Sequence, residues 1–127
     1  MTNPKKGFIK KRLTGVTYSL KGIKILVTTE DSIKAQIFLG LFAIVLGFIF
    51  KISLTEWAIQ LTLSALVLVA EGLNTAVEKI ADFIHPQHHK EIGIIKDVAS
   101  GAVGFAAITA IIVGGIIYLP KIAFLFS

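Results

Sequence analysis

At 127 residues, 54% of them hydrophobic, and with a mean hydropathy of +0.80, the chain is too apolar for a water-soluble domain of its size. One domain of this length covers only part of its apolar surface by folding on itself, so lipid or partner subunits must cover the rest. The absence of cysteine excludes disulfides, thiol nucleophiles and thiolate metal sites, and the net charge of +5 is concentrated at the front, where seven of the thirteen Lys and Arg precede residue 25.

That basic arm carries Lys5, Lys6, Lys10, Lys11, Arg12, Lys21 and Lys24. The apolar bulk behind it makes anionic lipid headgroups, not nucleic acid, its expected partner. The first long apolar run starts near Ala35, too late for a cleaved signal peptide.

Within the arm, Ile9, Leu13, Val16, Leu20, Ile23 and Val27 recur at steps of four and three, beside a polar line of Lys10, Thr14, Thr17, Lys21 and Lys24. This spacing predicts an amphipathic helix over 8–28. Packing against protein would give the same periodicity; the lysines favour the membrane surface.

Three hydrophobic segments follow, expected as spans over 33–50, 54–84 and 97–119. Ala35 to Phe50 carries no charge for sixteen residues, and Lys51 to Glu56 supplies a polar turn with Ser53 as a helix cap. Trp57 to Ala70 is charge-free for fourteen residues, and the helical pattern runs on to about Ile84 before Pro86 ends it. Val98 to Pro120 is charge-free for twenty-three residues, enough to cross a hydrocarbon core of about 30 Å. The fold class expected is an all-α membrane protein, with an N-terminal surface helix and three transmembrane helices in a single domain over 1–127.

Basic residues in the loops set the expected orientation. The arm and the 79–96 stretch, with Lys79, Lys90 and Lys96, outweigh Lys51 and Lys121, which puts the N-terminus in the cytoplasm and the C-terminus outside. Gly101, Gly104, Gly114 and Gly115 in the last span, with several alanines, permit close helix contact in a bundle or an oligomer.

The chemistry lies in Glu71-Gly-Leu-Asn74-Thr-Ala-Val-Glu78-Lys-Ile-Ala-Asp82. On a helix Glu71, Asn74, Glu78 and Asp82 share an arc of roughly 80°, with Gln60 and Ser64 extending the stripe backward. Glu71 falls about 26 Å along a helix begun at Leu54, at the edge of the hydrocarbon, where a carboxylate is costly unless it faces a cavity or a cation. Solvated acids on an emerging helix are the plain alternative, and that depth argues against it. Aligned acids without His or Cys suit a hard cation such as Mg²⁺, and Mg²⁺ with carboxylates points to a nucleotide phosphate. A pore lined by the same acids is a competing reading.

Beyond the stripe lie His85, His88, His89, Lys90 and Lys96-Asp97. Lys96 could balance phosphate charge or anchor the span, while the histidine spacing around Pro86 suits a solvated loop better than zinc. Glu30 offers another acid at the same level, either completing a metal site or pairing with Lys34. Neither GxxxxGK[ST] nor GxGxxG is present, so side chains and metal would have to hold any nucleotide.

The pattern E-x-x-N-[ST]-A-[IV]-E-x-x-x-D over 71–82, with His89 and Lys96-Asp97-Val-Ala-Ser-Gly downstream and Tyr18-Ser-Leu-Lys-Gly and Glu30 upstream, resembles the prokaryotic diacylglycerol kinase and undecaprenol kinase family over nearly the whole chain. The resemblance implies a homotrimer of three-span subunits with active sites shared between neighbours, in the bacterial cell membrane. It implies Glu71 as the general base on the lipid hydroxyl, Glu30 and Glu78 as ligands of Mg²⁺ on ATP, and Asn74 in support. By the same resemblance Lys96 neutralises phosphate charge, and Asp97, Tyr18 and the Gln87-His88-His89 segment seat the nucleotide with Lys11 or its neighbours Lys10 and Arg12. Ser100 approaches the lipid. The expected activity is phosphorylation of diacylglycerol, with undecaprenol as the alternative acceptor; a small cation channel and a non-catalytic membrane scaffold are the rivals from other classes.

Overall fold

Helix signals and stop signals alternate cleanly enough to divide the chain into four helices. The structure, a computed structural model, describes residues 4–127, so the first three residues of the domain expected over 1–127 lie outside the described residues. Helix α1 spans Pro4–Thr29 and starts on a proline, whose missing N–H costs nothing at a first turn. It carries no acidic residue and buries none of its side chains.

A single extended residue, Glu30 (φ −105°, ψ 114°), separates α1 from α2, Asp31–Ile49, and its carboxylate makes no capping bond to that helix. Helix α2 closes with a left-handed residue, Lys51 (φ 51°), and the Ile52 N–H reaches back to the Gly47 carbonyl at 3.1 Å. Helix α3, Leu54–Ile84, opens with a capping box: the Glu56 N–H donates to Ser53 Oγ at 3.1 Å and the Ser53 N–H donates to Glu56 Oε1 at 2.9 Å. It stops two residues before Pro86, since a residue preceding proline is pushed out of the helical region.

Helix α4 runs Lys90–Leu125, capped by His89, whose Nδ1 accepts the Glu91 N–H at 3.1 Å. It begins seven residues before the expected 97 and continues past Pro120. Charge and proline mark where a segment leaves the lipid or loses one hydrogen bond; neither forbids helix in a stretch that other contacts hold. The expected 79–96 loop is therefore only the short link 85–89.

Helix α3 lies between α4 and α2, and α1 leans on α2 and touches α3 through Leu26. Buried apolar side chains are few: Ile33, Ile52, Val67, Ala81, Ala106 and Ile117. Among them sits a polar link joining α2, α3 and α4. Gln60 Nε2 donates to the Ala43 carbonyl at 3.1 Å, and the Tyr118 hydroxyl donates to Gln60 Oε1. At the same end Lys121 Nζ donates to Glu56 Oε2 at 2.8 Å.

Helices α2, α3 and α4 are each long and apolar enough to cross a membrane. The accessible surface is 9812 Å², against about 6,600 Å² expected of a compact water-soluble protein of this mass. Phe38, Phe48, Phe105, Ile111 and Phe124 stand in that excess, each at least 70% exposed. At 31 and 36 residues, α3 and α4 exceed the twenty or so needed to span. The charged overhangs, the end of α3 and the start of α4, lie together because the five-residue link joins them.

Candidate active site

The last turns of α3 present Glu71, Asn74, Glu78 and Asp82 one turn apart on one face. Asn74 Nδ2 donates to Glu78 Oε1 at 3.3 Å, which fixes the amide and turns that carboxylate along the helix. The other end of the amide, Asn74 Oδ1, is buried and has no hydrogen-bond partner. A buried acceptor without a donor is costly and invites a cation or a ligand N–H.

Two lysines flank the stripe from opposite sides. On one flank Lys96, from the second turn of α4, meets Asp82 at 2.5 Å. On the other, Lys79 lies 3.7 Å from Glu30 at the corner between α1 and α2. Glu30 is thereby brought to α3 through Lys79, the residue after Glu78, while Lys34 pairs with Asp31 at 3.9 Å instead of with Glu30. Four carboxylates (Glu30, Glu71, Glu78, Asp82) against two ammoniums (Lys79, Lys96) leave a formal charge of −2, which draws a cation.

The donor set fits Mg²⁺. Its oxygen ligands would be Glu78 and Glu30, with Asn74 holding the Glu78 carboxylate and its own unpartnered Oδ1 close by. Among the described residues no three of His, Cys, Asp or Glu are gathered into a ready cage. Mg²⁺ does not need one, since it keeps several waters and takes phosphate oxygens in place of protein ligands.

Glu71 is half-buried at the inner end of the stripe, with Ser100 exposed on α4. Between α3 and α4 an apolar groove of about 530 Å³ runs from Phe105 and Thr109 to Asn74, floored by Ala70, Ala99 and Ala102. Other residues expected at the site stand apart from these contacts. Tyr18 is 65% exposed with the Lys21 ammonium 5.7 Å from its ring, and Lys11, His88 and Asp97 are exposed. The Gln87 carbonyl meets His85 Nδ1 at 2.8 Å, and His89 is occupied as the α4 cap.

Gln60, which extends the stripe by spacing, is buried in the bundle link and is no part of the site. Lys79 is the residue that sequence reasoning passed over, since in sequence it counts only toward loop charge. It lies seven residues after Gly72, on the face that receives Leu26, a placement that no local pattern in the sequence marks.

The sequence model of the family described as prokaryotic diacylglycerol kinase matches residues 17–118. A diacylglycerol kinase of Synechocystis is 33% identical over 111 residues, covering 87% of this chain and 63% of that protein, so the chain spans somewhat under two thirds of that relative. An undecaprenol kinase of Bacillus subtilis is 33% identical over 102 residues, 80% of this chain and 83% of the relative. The diacylglycerol kinase of Escherichia coli K12 is 29% identical over 112 residues, 88% and 91% of the two chains.

Proposed function

The chain belongs to the prokaryotic diacylglycerol kinase family, a family of membrane lipid kinases, and on that premise we propose that it transfers the γ-phosphate of ATP to the hydroxyl of diacylglycerol, giving phosphatidic acid. Undecaprenol is the alternative acceptor, because relatives of both names match at the same identity. The observation that carries the reading is the carboxylate stripe of α3, flanked by Lys96 and by the Glu30 corner, where the helix pair leaves its apolar stretch.

In this proposal Glu71 accepts the proton of the lipid hydroxyl, whose oxygen then attacks the γ-phosphorus as the bond to the β-phosphate oxygen breaks and ADP departs. Glu30 and Glu78 would hold Mg²⁺, which would supply charge neutralisation on the phosphates. Asn74 fixes the Glu78 carboxylate. Lys96 leaves Asp82 for the developing phosphate charge, and Tyr18, Lys11, Gln87, His88, His89 and Asp97 close over the nucleotide. The groove at Asn74 takes an apolar lipid chain, with Ser100 beside its headgroup.

The basic arm and the link near Lys79, Lys90 and Lys96 favour a cytoplasmic N-terminus in a bacterial cell membrane, with the C-terminus outside. Helix α1, basic and with none of its side chains fully buried, suits the membrane surface. The uncovered apolar faces suit a homotrimer in which neighbours complete the site. Glu71→Gln and Glu78→Gln test the proposal together: both abolish lipid phosphorylation if the stripe is catalytic, whereas retained phosphorylation in either refutes its assignment.

A further inference from the structure

The face of α3 that turns toward the α1–α2 corner is made of Gly72, Thr75 and Lys79. A Cβ at Gly72 would stand 3.3 Å from a terminal carbon of Leu26, Thr75 is 5% exposed, and Lys79 reaches Glu30. Lys79 is thus aimed at the corner by the packing of its helix. Its partner is equally constrained: Glu30 occupies one extended residue between two helices, makes no side-chain cap to α2, and among the described residues otherwise faces the Thr29 hydroxyl at 3.4 Å.

The contact differs from the other interhelical ion pairs. Lys121 meets Glu56 at 2.8 Å and Lys96 meets Asp82 at 2.5 Å, both within hydrogen-bond distance. At 3.7 Å, with the Lys79 side chain 63% exposed, the pair with Glu30 is an ion pair without a hydrogen bond. With Glu30 itself 25% exposed, such a long and partly exposed pair is weak, and a divalent cation displaces the ammonium from the carboxylate.

We infer that Lys79 is a positioning residue whose ammonium stands in for the metal at Glu30, holding that carboxylate against α3 until the divalent cation takes it, and then turning to the phosphates of the nucleotide. The inference rests on the proposed metal role of Glu30. It requires opposite effects on two ligands. Removing the ammonium frees Glu30 for the metal and so tightens metal binding, yet deprives the nucleotide of a cation and so weakens it. A purely structural lysine would shift neither in that pattern.

The test uses the full chain in detergent micelles. Mn²⁺, an oxygen-seeking substitute for Mg²⁺, is titrated without nucleotide and followed by the electron paramagnetic resonance of the free ion. In Lys79→Gln, Mn²⁺ binds roughly two- to fivefold tighter, the range open to loss of an exposed competing pair. The KM for MgATP rises about threefold or more while kcat stays within about twofold, the mark of lost binding without lost chemistry. Lys79→Arg, which keeps the charge, behaves as the parent in both assays. Unchanged or weaker Mn²⁺ binding in Lys79→Gln overturns the inference, as does a fall in kcat at constant KM. Unchanged Mn²⁺ binding in Glu30→Gln overturns the metal role of Glu30 and the inference with it. Loss in Glu30→Gln beside no change in Lys79→Gln overturns the inference alone.

Discussion

Glu71 and Glu78 lie seven residues apart on α3 in different surroundings, the first half-buried near the apolar groove, the second exposed and held by Asn74. In the roles proposed for them, a base would meet a lipid hydroxyl at the edge of the hydrocarbon and a metal carboxylate would meet a hydrated cation, and this division suits both tasks. Glu71→Gln keeps the size and removes the proton acceptor; kcat is expected to fall by about 10²- to 10⁴-fold, with KM for MgATP and helical circular dichroism retained. A fall in helicity instead would assign Glu71 to folding. The stripe itself was legible in sequence because positions 71, 74, 78 and 82 follow helical spacing, and helix is the one structure a long apolar run adopts in lipid. The Glu30 to Lys79 contact was not, because 49 residues separate them and only the turn at Glu30 brings them together.

At the scale of elements, the α2–α3 turn holds two helices at a fixed separation, and its sequence is not ideal for the task. Lys51 adopts the left-handed conformation that glycine occupies without penalty. Lys51→Gly is therefore expected to stabilise the chain by about 1 kcal/mol, read as a later midpoint in unfolding by denaturing detergent. Four residues earlier the requirement is reversed. A Cβ on Gly47 would lie 2.6 Å from the Trp57 ring, which itself packs on Phe48 with centroids 4.9 Å apart. Gly47→Ala is expected to destabilise by about 1–3 kcal/mol in the same assay. Capping by Ser53 and the stop before Pro86 were readable because each acts within one turn of chain. The true start of α4 was not: His89 caps it through a bond to Glu91, and a charged first turn gives no hydropathy signal.

For the whole molecule, few residues are buried and the longest side chains point outward, so stability depends on lipid or neighbouring chains more than on an internal core. The link between Tyr118, Gln60 and the Ala43 carbonyl is the exception. Tyr118→Phe leaves Gln60 Oε1 without its donor and is expected to cost about 0.6–2 kcal/mol, with catalysis in the intact micelle unchanged, since the link lies at the far end of α3 from Glu71. The groove between α3 and α4 is the feature closest to acceptor choice. Ala102→Phe narrows it, and is expected to raise the KM for lipid several-fold without moving that for MgATP, a split that steady-state kinetics reads directly.

In the proposed function these helices bring a magnesium nucleotide to a lipid hydroxyl. The direct measurement is incubation of the purified chain in mixed micelles with γ-labelled ATP and Mg²⁺, offering diacylglycerol and undecaprenol in separate reactions. Label is expected in phosphatidic acid, and in undecaprenyl phosphate if the second acceptor is the preferred one. Folded protein that leaves both lipids unlabelled would defeat the assignment of a lipid kinase.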